Sequence, residues 1–170
     1  MKAKKQYALY PCVSPLGSGT NRGFNSNDKK FYFEEARELE DAAVFDKSQY
    51  SIIFGKKRNQ AKEVEKYLSV IKISYLEGKD GKGKKHSIYR RFYALTRKDL
   101  NGKVAVSLHS LLFLKNGDES LSGATVEVSK GSRLLFFLRH PNIAVRSSSY
   151  LGIISIGLGI LSIILSVVLS

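Results

Sequence analysis

Nineteen consecutive residues, LGIISIGLGILSIILSVVL at positions 151–169, carry no charge, no proline and no amide side chain. As a helix this run is about 28 Å long, which matches the ~30 Å hydrocarbon core of a bilayer. A helix that is apolar on every side needs an apolar environment on every side. The rest of a 170-residue chain is too small to wrap it in protein, so the run predicts a transmembrane helix. Tyr150, at its start, suits an aromatic anchor at the membrane interface.

The flanking charges set an expected orientation. Arg133, Arg139, His140 and Arg146 precede the run and only a terminal carboxylate follows it; cationic flanks stay on the cytoplasmic side. Lys2, Lys4 and Lys5 open the chain, but the apolar stretch over 7–13 is short and broken by Pro11, too little for a signal peptide. The expectation is a tail-anchored, single-pass membrane protein. Residues 1–146 form one basic cytoplasmic domain and residues 147–170 the anchor, with 147–149 as a short joint.

Within the apolar run the small residues are in register. Gly152, Ser155, Gly159, Ser162 and Ser166 are spaced three, four, three and four apart, while Ile and Leu fill most other positions. Lipid tails satisfy apolar side chains as well as another helix does, so membrane helices associate where small residues let backbones approach and hydroxyls bond across. This seam predicts a homo-oligomer through the transmembrane helix, with the left-handed crossing of a heptad repeat.

The first 150 residues read as a soluble α+β domain. A strand is expected over 6–13 and a Ser-, Gly- and Asn-rich loop over 14–27. In that loop Gly17, Gly19 and Gly23 lack the Gly-Lys-Ser/Thr ending of a phosphate-cradling loop. Helices are expected over 33–45, where Glu34 and Glu35 favour the positive end of the helix dipole, and over 59–68, with a short strand over 50–54 between them. From Ser69 the apolar period becomes two. Strands are read at 69–76, 87–96, 104–114, 124–128 and 133–138, with Asn101-Gly102 and Asn116-Gly117 as the strongest hairpin signals. The fold class expected is an antiparallel five-stranded β meander or small barrel with two helices, followed by one C-terminal transmembrane helix.

Charge is uneven. The chain holds 28 Lys and Arg against 15 Asp and Glu, a net charge of +13. Residues 56–103 hold fifteen bases against five acids, a surplus of ten, whereas residues 34–47 hold six acids against Arg37 and Lys47. The first hairpin turn carries Lys79, Lys82, Lys84 and Lys85, and the strand after it alternates Tyr89, Arg91 and Tyr93 with Ile88, Phe92 and Ala94, with Arg97 following. Aromatic and cationic side chains on one face suit a base stacked on tyrosine while arginine meets phosphate. The expected ligand-binding set is Lys82, Lys84, Lys85, Tyr89, Arg91, Tyr93 and Arg97, with nucleic acid or a nucleotide as ligand. Contact of the basic surface with anionic membrane lipids, or with a protein partner, uses the same charges.

Catalysis has little support. Cys12 stands alone, and His86, His109 and His140 are far apart, so neither a disulfide, a zinc site nor a Cys-His pair is suggested. Glu34, Glu38 and Asp41 share a helical spacing, which reads as a solvated face before a metal site. No cofactor and no enzymatic activity are expected. The reading is an anchored sensor of a polyanion or a partner; its alternative is a membrane-perturbing effector of the toxin or antiviral-defence type.

Overall fold

A computed structural model of the chain describes residues 5–13, 23–27, 29–32, 40–55, 69–77, 83–114 and 121–169. Among these residues there are eight strands: β1 (Lys5–Val13), β2 (Gly23–Asn25), β3 (Lys30–Tyr32), β4 (Ala42–Asp46), β5 (Val70–Leu76), β6 (Lys85–Leu95), β7 (Lys103–Ser107) and β8 (Thr125–Lys130). The helices are α1 (Gln49–Phe54), α2 (Leu108–Leu114), α3 (Arg133–Leu138) and α4 (Ile143–Leu169), with a 3-10 turn at Lys98–Leu100.

Six strands close into a barrel in the order β1-β7-β4-β6-β5-β8, with β8 returning to β1. β1 makes the closure possible by its length. Its first residues pair antiparallel with β8 (Lys5↔Val128 to Ala8↔Thr125), its middle pairs parallel with β7 (Ala8↔Lys103 to Cys12↔Ser107), and its end pairs with β3. β4 and β6 are also parallel, whereas β7–β4, β5–β6 and β5–β8 are antiparallel. β2 and β3 extend the sheet beyond the barrel.

The barrel interior is filled by alternate residues of each strand, including Leu9, Phe45, Ile71, Ile73, Phe92, Val104 and Val126, and by Tyr50 and Ile53 of α1 and Leu111 and Leu114 of α2. Phe92 is at its centre. It stacks on Phe45 (ring centroids 5.0 Å, planes 14° apart) and meets Tyr50 and Phe54 edge to face. A second apolar layer of Cys12, Phe31, Ala42, Val44, Leu100 and Ala105 lies on the other side of β1, β7 and β4. There burial pushes the Cys12 thiol up to about 12.

The structure corrects the sequence reading in several elements. The sheet has eight strands and mixed direction, not five antiparallel ones. Residues 42–45, expected at the end of a helix, belong instead to β4. Ala43 and Phe45 enter the barrel while Ala42 and Val44 enter the second layer, so burial on both faces erases the period of two. Residues 50–54 are helical rather than extended: Tyr50 and Ile53, three apart, share the core face, and Gly55 at φ 74° ends α1 in the left-handed region. The strand read over 104–114 turns into α2 after Ser107, where burial of Ser110, Leu111 and Leu114 changes the period to helical. Residues 133–138 are α3, started by Ser132, whose side chain accepts from the Leu135 N–H. Asn101-Gly102 is a turn with Gly102 at φ 68°, but it does not join paired strands, because β4 lies between β6 and β7. The helix expected over 59–68 and the Asn116-Gly117 turn lie outside the described residues.

Helix α4 is one element of 27 residues, about 40 Å long, and it runs through 147–149. It is long and apolar enough to cross a membrane, and none of its most apolar 18-residue window is buried against the rest of the chain.

Candidate functional site

The alternation along β6 is realised. Ile88 and Phe92 enter the barrel core, while Tyr89 points off it to pack with Val70 of β5 and Phe136 of α3. Tyr89, Arg91 and Tyr93 therefore lie on the outer face of one strand, and α3 covers part of that face. Gly131 lets the chain arrive there. Its N–H donates to the Val70 carbonyl at 2.8 Å, and a Cβ at this position would stand 2.7 Å from the Ile71 carbonyl carbon. Only glycine fits so close to the β5 backbone.

Each cationic residue of the face has a defined setting. Arg91 forms a two-pronged pair with Asp41, Nε to Oδ2 and Nη2 to Oδ1, both 2.7 Å, and its own N–H donates to the Asp41 carbonyl at 2.9 Å. These bonds to the carboxylate outweigh partial burial and raise the guanidinium pKa. Tyr89 is buried, with the Arg139 guanidinium 5.9 Å and the Lys72 ammonium 6.0 Å from its ring centroid. Arg97 pairs with Asp99 at 2.8 Å, and its N–H donates to Asp46. Lys85 reaches Glu127 at 2.7 Å. Lys84 and Tyr93 are exposed, and Lys82 lies outside the described residues. The structure thus gathers Tyr89, Arg91 and Tyr93 on one strand face, and leaves Lys84, Lys85 and Arg97 at the ends of β6.

Asp41 is the hub of this face. Its Oδ2 also lies 3.5 Å from His140 Nε2. His140 Nδ1 accepts the Asn142 N–H at 3.1 Å, which leaves Nε2 as the protonated nitrogen of the neutral ring, directed at Asp41. Asn142 Oδ1 in turn accepts the Ala144 N–H and caps α4. The chain of contacts Arg91, Asp41, His140 and Asn142 therefore connects β6 to the first turn of α4.

Sequence reasoning misses two members of the site. It sets Asp41 on a solvated helix, fifty positions from its partner. Arg90 is fully buried behind the strand, where Nε donates to Ser110 Oγ at 2.6 Å and Nη1 to the Tyr89 carbonyl at 2.8 Å. Burial lowers its pKa to about 10, against the pull of Asp41 and Glu40. The signal for it is the Arg90-Arg91 doublet, which in a strand must send one arginine to each side.

The seam residues Gly152, Ser155, Gly159, Ser162 and Ser166 are all exposed on α4. A Cβ added at Gly152 or Gly159 would meet nothing within 4 Å. Among the described residues no three of His, Cys, Asp and Glu come together as a metal-binding group; Glu34 and Glu38 lie outside them. His86 faces Glu77 at 3.3 Å and His109 faces Glu40 at 2.8 Å. Comparison of the chain with protein-family models, curated proteins and solved structures finds no match.

Proposed function

We propose that this chain is a membrane-anchored, self-associating protein whose basic barrel faces the cytoplasm, binds a polyanion such as single-stranded nucleic acid or a nucleotide, and passes that event to its spanning helix. One observation carries the reading. The link between barrel and α4 is docked on the same β6 face that presents Tyr89 and Arg91, through Phe136, Arg139 and His140. A ligand that recruits Arg91 or stacks on Tyr89 competes with that docking and loosens the first turn of α4. The exposed residues at the two ends of the face, Lys84 just before β6 and Tyr93 near its last residue, are where such a ligand first makes contact.

The test uses full-length protein in zwitterionic vesicles and a fluorescent single-stranded oligonucleotide. Binding at low salt is expected to weaken steeply as salt rises. Replacing Lys84 with glutamate and Tyr93 with alanine together is expected to weaken it about tenfold, since one stacked base contributes about 1–3 kcal/mol. Absence of binding at low salt removes the polyanion reading. For the seam, Gly159→Leu with Ser162→Leu is expected to abolish cross-linked dimers in membranes; an unchanged dimer yield removes self-association through α4.

A further inference from the structure

We infer that α3 is a second membrane element: it lies in the interfacial layer of the bilayer that holds α4, with Leu134 and Phe137 at the boundary between head groups and acyl chains. The inference rests on the reading of α4 as a membrane anchor. Its starting point is the division of α3 into two faces. Phe136 is buried against Val70 and Tyr89, so that side of the helix is fixed to the barrel. Leu134 and Phe137, one helical step apart, are 58% and 37% exposed. Large apolar side chains left uncovered beside a basic surface mark a contact surface.

Two observations choose the bilayer as its occupant. The first is continuity. Ile143 follows Leu138 by only five positions, and α3 contacts α4, whose partly buried residues, Val145, Arg146 and Ser149, are all in its first two turns. Helix α4 is about 40 Å long against a hydrocarbon core of ~30 Å, so about 10 Å of it stands in the head-group layer. With Tyr150 marking the edge of the core, the excess is the N-terminal end that α3 touches. The second is charge. From residue 128 onward the chain holds Lys130, Arg133, Arg139 and Arg146 and no Asp or Glu. A short helix with apolar residues on one side and cations around it suits an anionic membrane surface.

The chain has no tryptophan, so single Trp substitutions report depth without a label. Leu134→Trp, Phe137→Trp, Ile160→Trp and Leu112→Trp are made one at a time in the full-length protein. Each is placed in vesicles of phosphatidylcholine with one quarter phosphatidylserine, carrying nitroxide groups near the head group or deep in the chain. Emission from the probe at position 160 is expected to be quenched about twofold more by the deep group than by the shallow one. Probes at 134 and 137 are expected to show the reverse preference, and the probe at 112, on α2, to be quenched by neither group. If the probes at 134 and 137 are quenched only by aqueous iodide, or are shielded from water and lipid alike as a protein partner or second copy would shield them, the inference is overturned while a lipid-quenched probe at 160 leaves the anchor standing. If the probe at 160 is also reached by iodide and not by lipid, the anchor reading falls with it. Binding of the Leu134→Trp protein that is equal in pure phosphatidylcholine and in the anionic vesicles, with equal shallow quenching, overturns the role given to the cations.

Discussion

The barrel interior and helix α4 are built from the same side chains, Ile, Leu and Val, and treat them in opposite ways. Inside the barrel apolar residues meet one another across a closed wall, so that Leu9, Ile71, Ile73 and Val104 are inaccessible to solvent. Along α4 the large apolar residues from Leu151 to Leu169 are each about half exposed or more, and none is buried. The free energy gained by leaving water is similar per unit area. What differs is what replaces the water: in the barrel it is the rest of the protein, whereas along α4, a helix long and apolar enough to cross a membrane, none of the described chain does so. The two regions therefore fail for different reasons.

The largest effect is expected from Phe92→Ala, which empties the centre of the aromatic cluster. Unfolding of the barrel by denaturant should move by about 3–5 kcal/mol, with membrane association of the full chain unaltered. Ile160→Arg should do the converse. A cation at mid-bilayer costs about 2.5–3.5 kcal/mol on insertion scales, seen as loss of the chain from the membrane fraction, while the barrel's unfolding midpoint stays in place. A shift of both properties by either variant would break the separation. Gly131→Ala acts on the link between them: overpacking against the β5 backbone costs about 1–3 kcal/mol and should release α3, read as faster tryptic cleavage at Arg133 and Arg139.

The smallest effect concerns pH. At Asp46 burial opposes ionisation, but hydrogen bonds from Ser48 and from the N–H groups of Arg97 and Lys47 outweigh it and hold the carboxyl below its usual value. A lowered native pKa contributes stability that is present above the ordinary value near ~4 and is lost as pH falls through the native one. Asp46→Asn should flatten the acid limb of barrel stability and leave the neutral plateau lower by a small amount, measured as denaturant midpoints across the acid range.

The difference between the regions also explains what can be read in advance. A segment able to cross a bilayer is recognised by the composition of each residue separately, so a run of nineteen apolar positions is legible without knowing any contact. The barrel depends on pairings between distant segments. The alternation of Tyr89, Arg91 and Tyr93 is local and visible in the sequence. That Arg91 meets Asp41, or that β1 is flanked by β7 and β8, is fixed only when the barrel closes. Two-sided burial hides β4, and the segment from Val104 to Leu114, apolar except at Ser107, His109 and Ser110, reads as one strand and hides the change from strand to helix at Ser107. The seam is readable as spacing, since it is exposed along α4 among the described residues.

Closure of the barrel by β8 has a consequence in time. β1 cannot complete its pairing until residues 125–130 exist, and the first residue of α4 follows Lys130 by thirteen positions. At about 5–20 residues per second, that interval is on the order of one to three seconds of translation. Sealing the cylinder and synthesis of the greasy rod thus follow closely on one another, and a sequence change that delays the first leaves two sticky surfaces uncovered together.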